Sequence, residues 1–404
     1  MSGLFDQQRV LGVSGMAEPA VLEPPPADAF ATLRGRMLVQ VRTMDVPWAQ
    51  RHPDVTDGGL VISGERASVR VGELRAAGYS GILIADPGYY TDHYASKDEP
   101  FYSGGQGSLF SVGLDPIRAI LEDQREDQLG HGASYALSPT ACIRAEDSSA
   151  FKAAANAITE LNDPRVIFVA ALNHTWFSNA RIPQTIAILS SVPGLKAVLV
   201  SGQMDPLANN IVANLCRLMA EVPDVALLRT DIAAVGALAN GAVFSSFGVI
   251  SSQRHLSPPQ EKVQTGKRKG GGPKSSSVLY SEHMSFYLGE TIADRHADGS
   301  APTCQCRVCV GKALDRFTTN GQGLGAQAKA HNVAIMKEWH AALHSEEKAK
   351  QDPAAWWRIK CAAAVDKAAE TNARLRQTTG KKTFAACPQL SQWAAELAND
   401  TATR

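Results

Sequence analysis

The sequence predicts an α/β chain that folds as a (β/α)8 TIM-like barrel, with an appended cysteine-bearing subdomain and C-terminal helices. Three observations lead there. Between residues 37 and 248, apolar β-like runs that end in small or polar residues alternate with amphipathic helical stretches. Buried parallel strands read as continuous apolar runs, and each needs a crossover helix, so about six to eight such units suggest a closed ring. The chain has 404 residues, room for one large domain and its additions. No G-x-G-x-x-G follows the first strand-like run, which lowers the runner-up, an open doubly wound sheet.

Taken in order, residues 1–35 read as a disordered Pro-rich tail, because Pro24, Pro25 and Pro26 forbid helix and nothing there is periodic. The main part of the barrel, 36–256, opens with MLVQVRTMDV (37–46). GILIAD (81–86) ends at Asp86, before Pro87-Gly88-Tyr89-Tyr90. ASYALSPT (133–140) ends at Ser138-Pro139-Thr140, and RVIFVAALNH (165–174) at Asn173-His174. LKAVLVSGQMDP (195–206) carries Gly202 and Gln203, DVALLRTD (224–231) ends at Asp231, and GAVFSSFG (241–248) bears Ser245 and Ser246. Helical stretches at 115–129, 148–161, 209–222 and 232–240 fill the gaps. Residues 257–277 hold Lys262, Lys267, Arg268, Lys269 and Lys274 against Glu261; they read as a basic flexible loop, either a solvated linker or a phosphate-contacting loop at the barrel mouth. A subdomain follows at 278–345. Beyond it, 346–404 is helical; helices are expected over 331–350 and 352–376, with Trp356 and Trp357 packing one of them onto the barrel.

Composition bounds the function. Hydrophobic residues are 44% and charged residues 20%, so the chain is globular. Lys+Arg and Asp+Glu are both 40, so any grip on nucleic acid has to be local; Lys267, Arg268, Lys269 and Arg307 are candidates. No apolar run reaches the roughly 18 residues of a membrane span, and the N-terminus lacks a basic start followed by an apolar block. The expectation is a cytoplasmic protein without a membrane partner.

In a barrel, chemistry sits where strands end and the following loops begin. Asp86 and Asp231 are the carboxylates placed directly at strand ends; for both, capping the next helix is the structural alternative. Seven cysteines is an odd count, which disfavours a full disulfide framework. Cys304, Cys306 and Cys309 form C-x-C-x-x-C, and three thiols so close in a reduced compartment point to structural Zn2+ held tetrahedrally. His331, His340 and His344 are available as the fourth ligand. His331 is preferred because a ligand at a helix start can face back across a loop. A redox role is weaker, since the thioredoxin-like context is missing.

A barrel followed by C-x-C-x-x-C and a later His331-Asn332 resembles the tRNA-guanine transglycosylase superfamily, including its DNA-modifying 7-deazaguanine branch. LDPIRAILEDQREDQLGHGASYALSPT (114–140) and LIADPGYY (83–90) support the likeness. The resemblance implies base exchange: guanine leaves a nucleic acid, DNA favoured slightly over tRNA, and a 7-deazaguanine base replaces it through a carboxylate-bound covalent intermediate. It implies structural zinc on Cys304, Cys306, Cys309 and His331, proton transfer by Asp86, and base contacts from Asn173, Gly202 and Gln203. Ser138 stands where the family has a base-reading Asp. The largest departure is on the last strand, where Ser245 and Ser246 replace the nucleophilic Asp, with Arg254-His255 downstream; Ser246 and Arg254 remain candidate substrate contacts. Asp231 on the neighbouring strand is then the expected nucleophile. The alternatives are a catalytically silent nucleic-acid-binding relative or accessory subunit, and an unrelated barrel hydrolase using His174 and Asp205. The likeness also makes a homodimer conceivable.

Overall fold

The computed structural model describes residues 30–102, 115–202, 205–259, 275–321, 323–378 and 383–395. Eight parallel strands close into a barrel in sequence order: β1 (Arg36–Arg42), β2 (Leu60–Ser63), β3 (Leu83–Asp86), β4 (Tyr135–Leu137), β5 (Val166–Asn173), β6 (Lys196–Ser201), β7 (Val225–Thr230) and β8 (Phe244–Gly248). Closure is made by β8 on β1, from Arg36 opposite Phe244 to Gln40 opposite Gly248. The predicted fold is therefore the observed one. β2, LVIS, is too short to stand out in the sequence; it holds Val61 inside the ring and Leu60 and Ile62 outside it.

Strand alternation splits the core into two layers. Leu38, Val61, Ile84, Ile167, Val169, Leu199 and Phe244 fill the barrel. Val39, Val41, Ile62, Leu83, Phe168 and Val198 face outward against the helices. Both faces of each strand are thus buried, which is why these runs are apolar throughout. The outer layer includes helices Ala67–Ala76, Pro116–Gly130, Ser148–Leu161, Ile182–Ser190, Val212–Glu221 and Ala233–Ala239. Residues 30–35, assigned above to the tail, pack on the barrel: Leu33 is buried, and the Thr32 hydroxyl meets the Tyr135 phenol at 2.8 Å. The rest of the predicted tail lies outside the described residues.

After the barrel, β9 (Ser277–Tyr280) and β10 (Ser285–Leu288) form an antiparallel hairpin, and β11 (Thr303–Cys304) with β12 (Lys312–Ala313) forms a small knuckle. Helix Leu324–Ser345 follows. It begins well before His331, because the glycines around Gly323 and Gly325 read as loop, and it ends at Ser345, short of the expected 350. Glu346 breaks it in an extended conformation, and a short turn, Glu347–Gln351, leads to helix Pro353–Thr378. Trp357 and Trp393, from helix Pro388–Ala395, both pack against Gly236 of a barrel helix. Trp357 meets the expectation of packing onto the barrel; the Trp356 indole donates instead to Glu346 at 2.8 Å. The basic residues Lys262, Lys267, Arg268, Lys269 and Lys274 lie outside the described residues.

Gly289, at the start of helix Gly289–Arg295, locks the subdomain together, because a Cβ there would lie 1.8 Å from the Phe317 carbonyl oxygen. Gly289→Ala is expected to destabilise the chain by about 2–3 kcal/mol through overpacking. Chemical denaturation checks this; an unchanged midpoint would show that the two segments do not touch.

Candidate functional site

The three sulfurs and one imidazole singled out in the sequence converge. Their ligand atoms lie within 4.8 Å of one another, and all four residues are buried. His331 Nδ1 is 3.6, 3.5 and 3.3 Å from the sulfurs of Cys304, Cys306 and Cys309. A tetrahedron with metal–sulfur bonds of about 2.3 Å and a metal–nitrogen bond of about 2.0 Å has nitrogen–sulfur edges of about 3.5 Å, so the cage has the size of a metal site. The other ring nitrogen, Nε2, meets the Leu279 carbonyl of β9 at 2.8 Å. That bond fixes the tautomer in which Nδ1 carries the lone pair. Arg316 also donates to Cys309 Sγ at 3.0 Å, offsetting thiolate charge. Hydrogen bonds from the neighbouring thiols, and then burial, raise Cys304, while the same thiol contacts lower Cys306. Burial opposes a charged His331, yet the sulfurs of Cys306 and Cys309 push it up to about 9. A dication bound here displaces the protons on these side chains. Asn332 secures the same helix to β9, accepting from Leu279 N at 2.7 Å and donating to Ser277 O at 2.9 Å. His340 and His344 point elsewhere, both to the Gly35 carbonyl.

On the barrel rim, Asp86 and Asp231 belong to separate networks. Asp86 Oδ2 accepts from Gln40 Nε2 (2.9 Å), Ser63 Oγ (3.0 Å) and Tyr90 OH (2.6 Å), while Oδ1 accepts from Gly88 N (3.1 Å). Arg229 closes this network from the opposite side, its guanidinium 3.3 Å from the Tyr90 hydroxyl. It gets there through a bulge in β7. The β7–β8 register slips between Leu227 and Thr230, and Arg229 has φ +54°, the left-handed conformation that side chains adopt at a cost. Ser246 repairs the slip, accepting from Arg229 N (3.0 Å) and donating to Gln40 Oε1 (2.9 Å).

Asp231 sits below a different cleft. Its Oδ1 accepts from Ala233 N at 3.1 Å, the helix-capping role. Its Oδ2 accepts from Gln389 Nε2 at 2.9 Å, and the same amide donates to Asp205 Oδ2 at 3.0 Å. One side-chain nitrogen therefore bridges two carboxylates. Burial and then the Asp231 charge push Asp205 up to about 6; burial also raises Asp231. Two buried carboxylates this close titrate together, each resisting ionisation more than a free one. His255 lies 3.8 Å from Asp231, but burial drops it to about 4, so at pH 7 it is neutral and the contact is not an ion pair. Asp231, Arg254, His255, Phe286, Tyr287 and Cys387 line a cleft of about 330 Å³ between the rim and the β9–β10 hairpin. Burial followed by the two carboxylates pushes the Cys387 thiol up to about 12, which leaves it unreactive.

The remaining expected residues are spread around the rim. Ser138 Oγ is paired with Thr140 Oγ1 (2.7 Å) and accepts from Val169 N (2.9 Å). Asn173 caps the next turn through Thr175 N. Gly202 is a close-approach glycine, since a Cβ would lie 3.0 Å from Pro206 and 3.2 Å from His174 Nδ1. Gln203 lies outside the described residues. Arg254 is buried and donates to Gly248 O, Val249 O and Ser277 Oγ, so it braces the rim as well as facing the cleft. Asp205 turns to Gln389; the buried His174 Nδ1 has no partner among the described residues, and the two form no hydrogen-bonded dyad.

Two outcomes are expected. The purified chain carries one metal ion in this cage, measurable by elemental analysis and lost as pH falls, because protons compete for the ligands. Cys306→Ala loses the ion and about 3 kcal/mol or more of stability; a metal content that Cys306→Ala leaves unchanged would refute the cage. Asp205 has a raised pKa in the fold, so it favours folding when protonated and costs stability as pH rises through about 6. The stability of Asp205→Asn relative to the parent should therefore rise by about 1–2 kcal/mol between pH 5 and pH 8. A flat difference in denaturation midpoints would contradict the raised Asp205 pKa.

No family model matches the chain, and no curated protein does. Among solved structures it is similar to dihydrodipicolinate synthase from Aquifex aeolicus, with a TM-score of 0.31 and 10% identity, covering 91% of this chain and 98% of that one. It is also similar to the carboxyl transferase domain of Rhizobium etli pyruvate carboxylase, with a TM-score of 0.33 and 11% identity, covering 96% of this chain and 66% of that one. Likeness this loose carries nothing about activity.

Proposed function

We propose that the chain is a pentosyltransferase of the guanine-transglycosylase type, exchanging guanine in DNA or tRNA for a 7-deazaguanine derivative. The observation that supports this most is the Gln389-bridged carboxylate pair, Asp231 and Asp205, of which Asp231 lines the rim cleft, in a chain that also forms the Cys304, Cys306, Cys309 and His331 cage. Exchange at an N-glycosidic carbon needs one carboxylate to attack and a second group to carry a proton. Asp231 attacks C1′ of an extruded nucleotide; the Asp231–C1′ bond forms as the bond from C1′ to guanine breaks, and the departing purine nitrogen takes a proton. The incoming base then attacks C1′, frees Asp231 and gives up its own proton. Asp205 suits the proton transfer better than Asp86, because burial and the Asp231 charge push it up to about 6, whereas Asp86 is held by four donors, Gln40, Ser63, Tyr90 and Gly88. The base has to leave its stack to reach the rim, at a cost of a few kcal/mol. Zn2+ in the cage is structural in this reading and supplies architecture rather than chemistry.

One observation favours a second reading, a catalytically silent nucleic-acid-binding relative or accessory subunit. Ser245 and Ser246, where the family's nucleophile would stand, are both buried, and the Ser246 hydroxyl is used up in repairing the β7 bulge. Labelled guanine or 7-deazaguanine, incubated with the chain and either DNA or tRNA, separates the two. Exchange is expected with one of these polymers, and Asp231→Asn should lower it at least about a hundredfold. Binding without incorporation would favour the silent reading, and undiminished exchange in Asp231→Asn would rule Asp231 out as nucleophile.

A further inference from the structure

A second cleft, of about 570 Å³, lies on the rim beyond β8, where Arg42, Arg254 and Lys329 meet Ser275, Ser276 and Ser277. It shares Ser251, Arg254 and Ser277 with the carboxylate cleft, so the two are continuous across the Arg254 side chain. The cations come from three separate parts of the chain: the end of β1, the segment after β8, and helix Leu324–Ser345. Asp45 holds two of them, taking Arg42 Nε at 2.8 Å and Lys329 Nζ at 2.7 Å. Asp45 is buried and does not line the cleft; it fixes the two cations from behind, while the Asp231 charge acts on Arg254 from the neighbouring cleft. Arg254 uses three of its five donors on Gly248 O, Val249 O and Ser277 Oγ. Ser275 is 1% exposed and accepts from Glu290 N, and Ser277 accepts from Arg254; each keeps its own hydroxyl proton to donate.

Converging cations and hydroxyl donors in a concave site fit an anion with several acceptor oxygens. In barrels of this class the loops after the last two strands are the usual place for a phosphate. We propose that this cleft binds a phosphate group, and that in the reaction above it takes a backbone phosphate next to the nucleotide whose sugar reaches Asp231. The assignment rests on that functional reading for its source of phosphate, while the site itself rests on the cations and serines.

The test is binding, without turnover. A fluorescently labelled single-stranded oligonucleotide and a labelled tRNA are titrated with the full chain over a range of salt. Lys329→Gln should weaken binding by about tenfold at low salt and lower the salt slope by about one. Because Lys329→Gln also breaks the Asp45 pair, Ser276→Asp serves as the second variant; it adds a like charge to the cleft, leaves both ion pairs, and should weaken binding similarly. If the natural source is a small free phosphate, inorganic phosphate raises the melting temperature of the parent, Ser276→Asp abolishes that rise, and oligonucleotide affinity stays unchanged; the phosphate site then stands while its link to a polynucleotide falls. The proposal is overturned if Ser276→Asp melts like the parent and alters neither polynucleotide affinity, salt slope nor the response to phosphate. It is equally overturned if the parent binds none of the three probes. A failed exchange assay with intact, Lys329-dependent binding would remove the functional reading and leave this site in place.

Discussion

The His331 ring holds the outer half of the molecule in place. One nitrogen faces three sulfurs, and the other is hydrogen-bonded to the Leu279 carbonyl. That joins the knuckle, the β9–β10 hairpin and helix Leu324–Ser345 at one point. Regular structure around the knuckle is scant, two strands of two residues each, too little to bury a core of its own. A structural dication in comparable small sites contributes about 10–16 kcal/mol at neutral pH, which outweighs any contribution from such short strands. The hairpin it fixes forms one wall of the carboxylate cleft, and the helix it fixes supplies Lys329 to the neighbouring one. The cage thus shapes the rim.

The rim carries two separate carboxylate networks, one around Asp86 and one around Asp231. On the last strand, the Ser246 hydroxyl completes a bulge that swings Arg229 over Tyr90. The result is a tightly bonded cluster around Asp86. Carboxylates with raised pKa lie after the two preceding strands, Asp231 after β7 and Asp205 after β6, where burial raises both and the Asp231 charge adds to the shift of Asp205.

How much of this was legible in the sequence follows from how local each signal is. The cage was readable because three ligands lie within one knuckle and clustering of thiols is rare by chance; only the choice among His331, His340 and His344 needed geometry. Most strands were readable because each is buried on both faces. β2 was not, since four residues carry no period. Asp231 was readable as a strand-end carboxylate, but its partner was seen only as a possible companion of His174. The element that joins Asp205 to Asp231 is Gln389, which lies 158 residues beyond Asp231 in a short C-terminal helix, and nothing local marks a glutamine as a bridge. The β7 bulge was equally hidden, because Arg229 is an ordinary residue in an unusual conformation.

X-ray absorption at the zinc edge of the purified full-length chain tests the central claim most directly. The account predicts a four-coordinate shell with three sulfurs at about 2.3 Å and one nitrogen at about 2.0 Å. A shell dominated by oxygen and nitrogen, or a folded chain with no metal at all, would contradict it.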